Sequence, residues 1–214
     1  MFRRRRREQS EAAESVAPAE MRESGPWDSA EPHPESDRID LGGLRLPSAD
    51  DLDIRLAMVG DQPVGAIVLH EESALQLHAF AAPKTSGLWD EARTKISAAV
   101  KEAGGSLEQQ DGPFGPELAG QVNSEGSLER VRYIGVDGPR WFLRAVISGR
   151  AAMDEKVAAR LEDVIRDVVV VRGDDPMARE ESIPLRKPSD NPAQTDEQET
   201  LNPFKRGPEI SETR

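Results

Sequence analysis

Residues 128–148 read Leu-Glu-Arg-Val-Arg-Tyr-Ile-Gly-Val-Asp-Gly-Pro-Arg-Trp-Phe-Leu-Arg-Ala-Val-Ile-Ser, and this stretch decides the fold. From residue 140 to 148, Trp141, Leu143, Ala145 and Ile147 alternate with Arg140, Phe142, Arg144 and Val146. That period of two belongs to a strand with one deeply buried face. The run before it sets Arg130, Arg132 and Ile134 against Val131 and Tyr133. Between the two runs, Gly135-Val136-Asp137-Gly138-Pro139 supplies turn residues. The pair reads as an antiparallel hairpin.

Similar signals extend outward in both directions. Upstream, Leu52, Ile54, Leu56 and Met58 alternate with Asp53, Arg55 and Ala57, and Gly60-Asp61-Gln62-Pro63 turns the chain into a second run at 64–70. Glu71-Glu72-Ser73 turns it again into 74–81, so three strands form a meander. Trp89, Ala92, Ile96, Ala99, Val100 and Ala103 then recur at helical spacing, with Ser86 as N-cap, Asp90 and Glu91 in the first turn and Gly104-Gly105 as the stop. Shorter strands are expected at 107–110 and 117–122, before the hairpin of 128–134 and 140–148. A second helix starts near Asp154 and presents Val157, Leu161, Val164, Ile165 and Val168 on one face. The β-branched run 168–171 favours extended chain after it, and Gly173-Asp174-Asp175-Pro176 is a stop. The order βββ-α-ββββ-α predicts a single α+β domain: a twisted, mainly antiparallel sheet with both helices on one face.

Apolar residues concentrate in the middle of the 214-residue chain. Residues 1–45 and 177–214 carry most of the proline and long charge runs, a composition that cannot bury enough apolar surface to offset the entropy of ordering. The expected division is a disordered tail at 1–45 with a basic cap, a core domain at 46–176, and a disordered Pro-rich tail at 177–214. A net charge of −12 disfavours tight nonspecific contact with phosphate backbones. With no cysteine, disulfides, thiol catalysis and Cys-ligated metals are excluded. No run reaches the ~18 apolar residues of a membrane span. The cap Arg3-Arg4-Arg5-Arg6-Arg7 is followed by Glu8-Gln9-Ser10-Glu11 rather than an apolar segment, so export is not expected and the cytoplasm is.

Catalytic patterns are missing. Of three histidines, His33 falls in the tail, while His70 and His78 flank the second turn near Glu71 and Glu72 but are separated along the ladder. Ser73 and Ser148 lack a nucleophile-elbow context. None of Gly42-Gly43, Gly104-Gly105 or the Gly112–Pro116 turn precedes the helix N-terminus and Lys-Ser/Thr of a phosphate loop. Gly173-Asp174-Asp175 lacks spaced calcium ligands. No cofactor, metal or catalytic residue is expected.

One surface stands out. If the hairpin pairs across Asp137-Gly138 with its arginines on a common face, Arg130, Arg132, Arg140 and Arg144 with Phe142 make a site for an anion or an acidic partner. The opposing expectation is that these arginines pair with the surplus Asp and Glu and cover sheet with their stems.

Several stretches resemble one family: Leu77-His78-Ala79-Phe80-Ala81-Ala82-Pro83, Trp89-Asp90-Glu91, Asp111-Gly112-Pro113-Phe114-Gly115, the run from Gly135 to Arg144, the run from Val168 to Met177, and Ile183-Pro184-Leu185-Arg186. Over about residues 40–187 the chain is similar to an actinobacterial family of uncharacterised proteins, domain-of-unknown-function family 3710. The Asp-Gly-Pro-Arg-Trp and Arg-Gly-Asp-Asp-Pro-Met stretches are the most specific of these, and the opening arginine run is like that family's start. The resemblance implies cytoplasmic proteins with no established activity, often encoded near a dUTPase and an OB-fold nucleic-acid-binding protein. The leading expectation is therefore a non-enzymatic interaction or adaptor protein with a protein partner. Weak nucleic-acid or polyanion binding through the arginine hairpin and residues 3–7 is the alternative. Third comes a small-ligand site near Trp141 or His78.

Overall fold

The computed structural model describes residues 24–84, 87–124 and 126–188; the arginine cap at 3–7 and Ser86 lie outside them. Three short strands come first, β1 (Trp27–Asp28), β2 (Arg38–Asp40) and β3 (Leu44–Pro47). The expected meander follows as β4 (Asp53–Val59), β5 (Gln62–His70) and β6 (Ser73–Ala81), then helix α1 (Trp89–Glu102). Next are β7 (Ser106–Gly112), β8 (Gly115–Ser124), β9 (Ser127–Asp137) and β10 (Trp141–Gly149). Helix α2 (Glu155–Asp167) and β11 (Val169–Val170) complete the order. Between residues 53 and 167 the βββ-α-ββββ-α sequence is present as read, and the class is α+β.

Seven strands form one antiparallel sheet in the order β4-β5-β6-β10-β9-β8-β7. Strand β10 has apolar side chains on both faces, so it sits centrally: Ala145 lies between Leu77 of β6 and Ile134 of β9. A second sheet, β1-β11-β3-β2, is built from the first strands and the extended run after α2. The β-branched stretch predicted to leave the helix becomes β11, parallel to β1 and antiparallel to β3.

The helices do not share a face. On one side of the large sheet, Leu77, Ala79, Ile134, Trp141, Leu143, Ala145 and Ile147 pack with Leu161, Val164 and Ile165 of α2 and with Leu44 and Leu46 of the small sheet. On the other side, Trp89 of α1 stacks on Phe142, with Ala92, Ile96, Phe80 and Tyr133 around it. The reason is strand alternation: Phe142 and Leu143 are neighbours in sequence and point oppositely. Because each side of β10 is apolar, each recruits its own helix. At Gly135 a Cβ would come 2.2 Å from the Trp89 ring, so only glycine lets α1 lie this close to β9.

The folded unit is also longer at both ends than the 46–176 expected. Trp27, Leu41 and Leu44 are buried before residue 46, and Ile183 and Leu185 are buried after residue 176. The charged composition of these segments hides their few apolar anchors. Residues 179–186 run as a strap: Ala81 N–H donates to the Glu181 carbonyl (2.8 Å), Ile183 N–H to Ala79 (2.9 Å) and Arg186 N–H to Leu41 (2.8 Å). The strap thus ties the large sheet to the small one.

Capping follows the same non-local logic. Helix α2 starts near Asp154 as read, and the Asp154 carboxylate caps it, accepting from Lys156 N–H at 3.0 Å. For α1 the donors of Leu88 and Trp89 are taken by the Asp137 carboxylate, at 2.7 and 3.3 Å, from the end of β9. No helix among the described residues is long and apolar enough to cross a membrane.

Candidate functional site

The five residues of the predicted surface are dispersed. Arg144 sits across from Gly135, and Arg132 across from Ile147. In an antiparallel pair, directly opposed residues share a face. Arg132 therefore points with Ile147 toward α2, while Arg144 points with Phe142 toward the α1 side. Phe142 is buried, Arg130 is exposed on the outer part of β9, and Arg140 lies at the hairpin turn against Gly173 and Asp174. The hairpin gives no common arginine face.

Arg132 meets the opposing expectation in its strongest form. Its Nε and Nη2 donate to the two oxygens of Glu117 at 2.8 and 2.9 Å, and Nη2 reaches Glu162 at 3.0 Å. Gln110 Nε2 also donates to Glu117, at 2.7 Å. Glu117 is only 1% exposed and Arg132 8%. Burial works against the charged guanidinium, and its hydrogen bonds to Glu117 and Glu162 more than offset this, holding its pKa above the usual range. A polar cleft of about 410 Å³ opens beside this group, and the one cation among its lining residues, Arg132, is already paired.

Arg144 is the opposite case. It is largely buried, and no carboxylate among the described residues lies within ion-pairing distance of it. Its Nε is buried with no hydrogen-bond acceptor. Burial pulls its pKa below the usual guanidinium range, and nearby Tyr133 opposes this only in part. The guanidinium instead lies 5.3 Å from the Phe80 ring centre. Register places His78 directly across from it on β6. The rings of His78, Phe80, Phe142 and Trp89 form a file, at successive separations of 6.4, 6.0 and 5.9 Å. His78 Nδ1 is likewise buried without a partner. At Gly65 a Cβ would meet the His78 ring at 2.5 Å, so glycine on β5 lets that ring lie flat against the sheet. Helix α1 covers only one end of this face, and a small slot of about 100 Å³ opens between Phe80, Phe142, Leu88, Ala92 of α1 and Glu180 at its rim.

An unpaired, half-desolvated guanidinium is costly, and such groups concentrate where a ligand completes them. Its environment suits an anion that arrives with an apolar neighbour: the charge for Arg144, the apolar group for the Phe80 slot. The sequence placed Arg144 among the candidates but not its company. His78 and Phe80 join it only because β6 and β10, some 60 residues apart, are neighbours, and Tyr133 joins it through the register of β9 with β10.

His78 has a testable consequence. Burial, and secondarily the positive charge of Arg144, lowers its pKa below 6.5. Above pH 6.5 the ring is neutral folded or unfolded. As pH falls through 6.5 the unfolded chain takes up a proton that the folded chain resists, so stability declines with acidification. Chemical denaturation of wild type and His78→Gln between pH 7.5 and 5 is expected to give a flatter profile for the variant. Parallel profiles would show that His78 protonates freely in the folded state.

His70 is bonded to the Asp51 backbone oxygen at 3.1 Å, and His33 to that of Glu31 at 2.8 Å. Among the described residues no three His, Asp or Glu side chains are placed to hold a metal ion.

These features define an α+β domain with a two-sheet core and an open, cationic-aromatic sheet face. The chain belongs to the family described as "Protein of unknown function (DUF3710)", whose model matches residues 25–194. No curated protein and no solved structure matches the chain.

Proposed function

We propose that this domain is a non-catalytic interaction module that receives an acidic side chain of a protein partner on Arg144. The observation that carries this reading is the half-buried guanidinium without a counter-ion on the uncovered part of the sheet. Phe80, His78 and Tyr133 provide a low-dielectric surround in which a charge-assisted hydrogen bond gains strength. Binding of a broad polyanion is less well supported, because Arg130, Arg132, Arg140 and Arg144 occupy separate surfaces.

Fluorescence anisotropy of an array of Asp- and Glu-containing peptides, half of them with an aromatic residue beside the acid, tests the assignment. Binding is expected to favour the acid–aromatic peptides and to fall about tenfold or more in Arg144→Leu, the loss of one charge-assisted contact. Equal binding by wild type and Arg144→Leu contradicts it. Gel shifts with single-stranded nucleic acid serve as the competing arm, since a phosphate-dominated interaction weakens steeply with salt.

A further inference from the structure

We infer that the cleft between the turn after β1 and the loop after β11 is a second site, binding a small oxyanion (a phosphate or carboxylate group) through Arg140 and Arg172. The cleft has a volume of about 390 Å³ and shares no residue with the Arg144 patch. Here the two most specific stretches of the sequence meet, Asp137-Gly138-Pro139-Arg140-Trp141 and Arg172-Gly173-Asp174-Asp175-Pro176-Met177. Nothing in the Arg144 reading uses either arginine.

The charges lining the cleft are unevenly satisfied. Asp28 accepts from Trp141 Nε1 at 2.7 Å and from Ala30 N–H at 2.8 Å, and Glu31 accepts from Asp28 N–H at 2.6 Å. Both carboxylates accept N–H donors here and stand on the cleft wall. The guanidiniums, by contrast, find mainly backbone carbonyls: Arg140 Nη2 donates to Gly173 at 3.1 Å, and Arg172 Nη1 to Asp175 at 3.0 Å. Among the described residues Asp174 is the one carboxylate within ion-pairing distance of them, at a long 3.4 Å from Arg140, with its side chain fully exposed. Arg172 Nε is buried and has no acceptor among the described residues. A carbonyl carries no net charge, so of the three carboxylates on the cleft wall only Asp174 pairs with either cation, and at long range. An entering oxyanion supplies the missing acceptor for Arg172 and displaces Asp174 from Arg140.

Arginine Nε–Hε correlation spectra of the full chain test this, titrated with inorganic phosphate in one arm and acetate in another, against chloride at matched ionic strength. Saturable shifts of the Arg172 and Arg140 signals are expected in at least one oxyanion arm, and the responding arm identifies the group. Arg172→Gln and Arg140→Gln should each weaken the response about tenfold, while Asp174→Asn strengthens it. Arg144→Leu should leave it within about twofold, as a distant, independent position. Shifts that track chloride in both arms overturn the proposal. So does a response that survives Arg172→Gln, or one that disappears only in Arg144→Leu.

Discussion

Replacing Arg132 with leucine is expected to lower the unfolding free energy by about 3–5 kcal/mol, the largest loss of any single charge in this domain. The substitution leaves Glu117, 1% exposed, without the bidentate partner at 2.8 and 2.9 Å that allows its carboxylate to remain buried. Gln110 alone cannot compensate, because an amide donor supplies no charge. A domain of this size has about 5–15 kcal/mol in total, so the variant will sit near the edge of folding. The paired change Glu117→Leu with Arg132→Leu separates the two contributions. It should recover most of the loss, since removing both charges restores an apolar contact where one removal strands an ion. Glu162 keeps Arg166, at 3.6 Å, in the double variant. Urea denaturation of the three proteins measures this directly, and equal destabilisation in single and double variants would show that packing, not charge, holds the site.

Trp141→Ala ranks second, at about 3–5 kcal/mol. The indole is fully buried at the start of β10, in the core shared by the large sheet, α2 and the small sheet. Its Nε1 donates to Asp28 at 2.7 Å, so the same change also releases the first strand from the hairpin. Trp141→Phe keeps much of the apolar area and loses only that bond, for which about 1 kcal/mol is expected. Hydrogen exchange should then report opening of residues 27–30 ahead of the rest of the domain. Uniform exchange across both sheets would argue against the tether.

Local patterns were readable where they rest on a single strand or helix. The alternation of Trp141, Leu143, Ala145 and Ile147 gave the buried face of β10, and Asp154 marked the start of α2. What depends on pairing between distant segments was not. The assumption that Arg132 and Arg144 share a face needed the hairpin register, and the observed pairing of Ile134 with Ala145 sends them apart. The placement of both helices on one face failed because β10 is apolar on both sides, and period-two reading assigns only one of them to the core. Trp27, Ile183 and Leu185 are lone apolar residues in charged surroundings, and composition averaged over a segment cannot see them. Likewise the N-cap of α1 comes from Asp137, 48 residues beyond Trp89, where no capping pattern would look.

Two small oppositely signed effects meet at Arg144, and their balance distinguishes a binding residue from a structural one. Its stem and its contact with Phe80 contribute about 0.5–1 kcal/mol. The desolvated and unpaired charge costs about 1–3 kcal/mol. The decisive measurement is therefore the stability of Arg144→Leu by denaturant titration, set beside its affinity for the acid–aromatic peptides. The expected variant is at least as stable as wild type, by up to about 2 kcal/mol, and has lost binding about tenfold or more. A variant that is less stable and binds as well as wild type would contradict it.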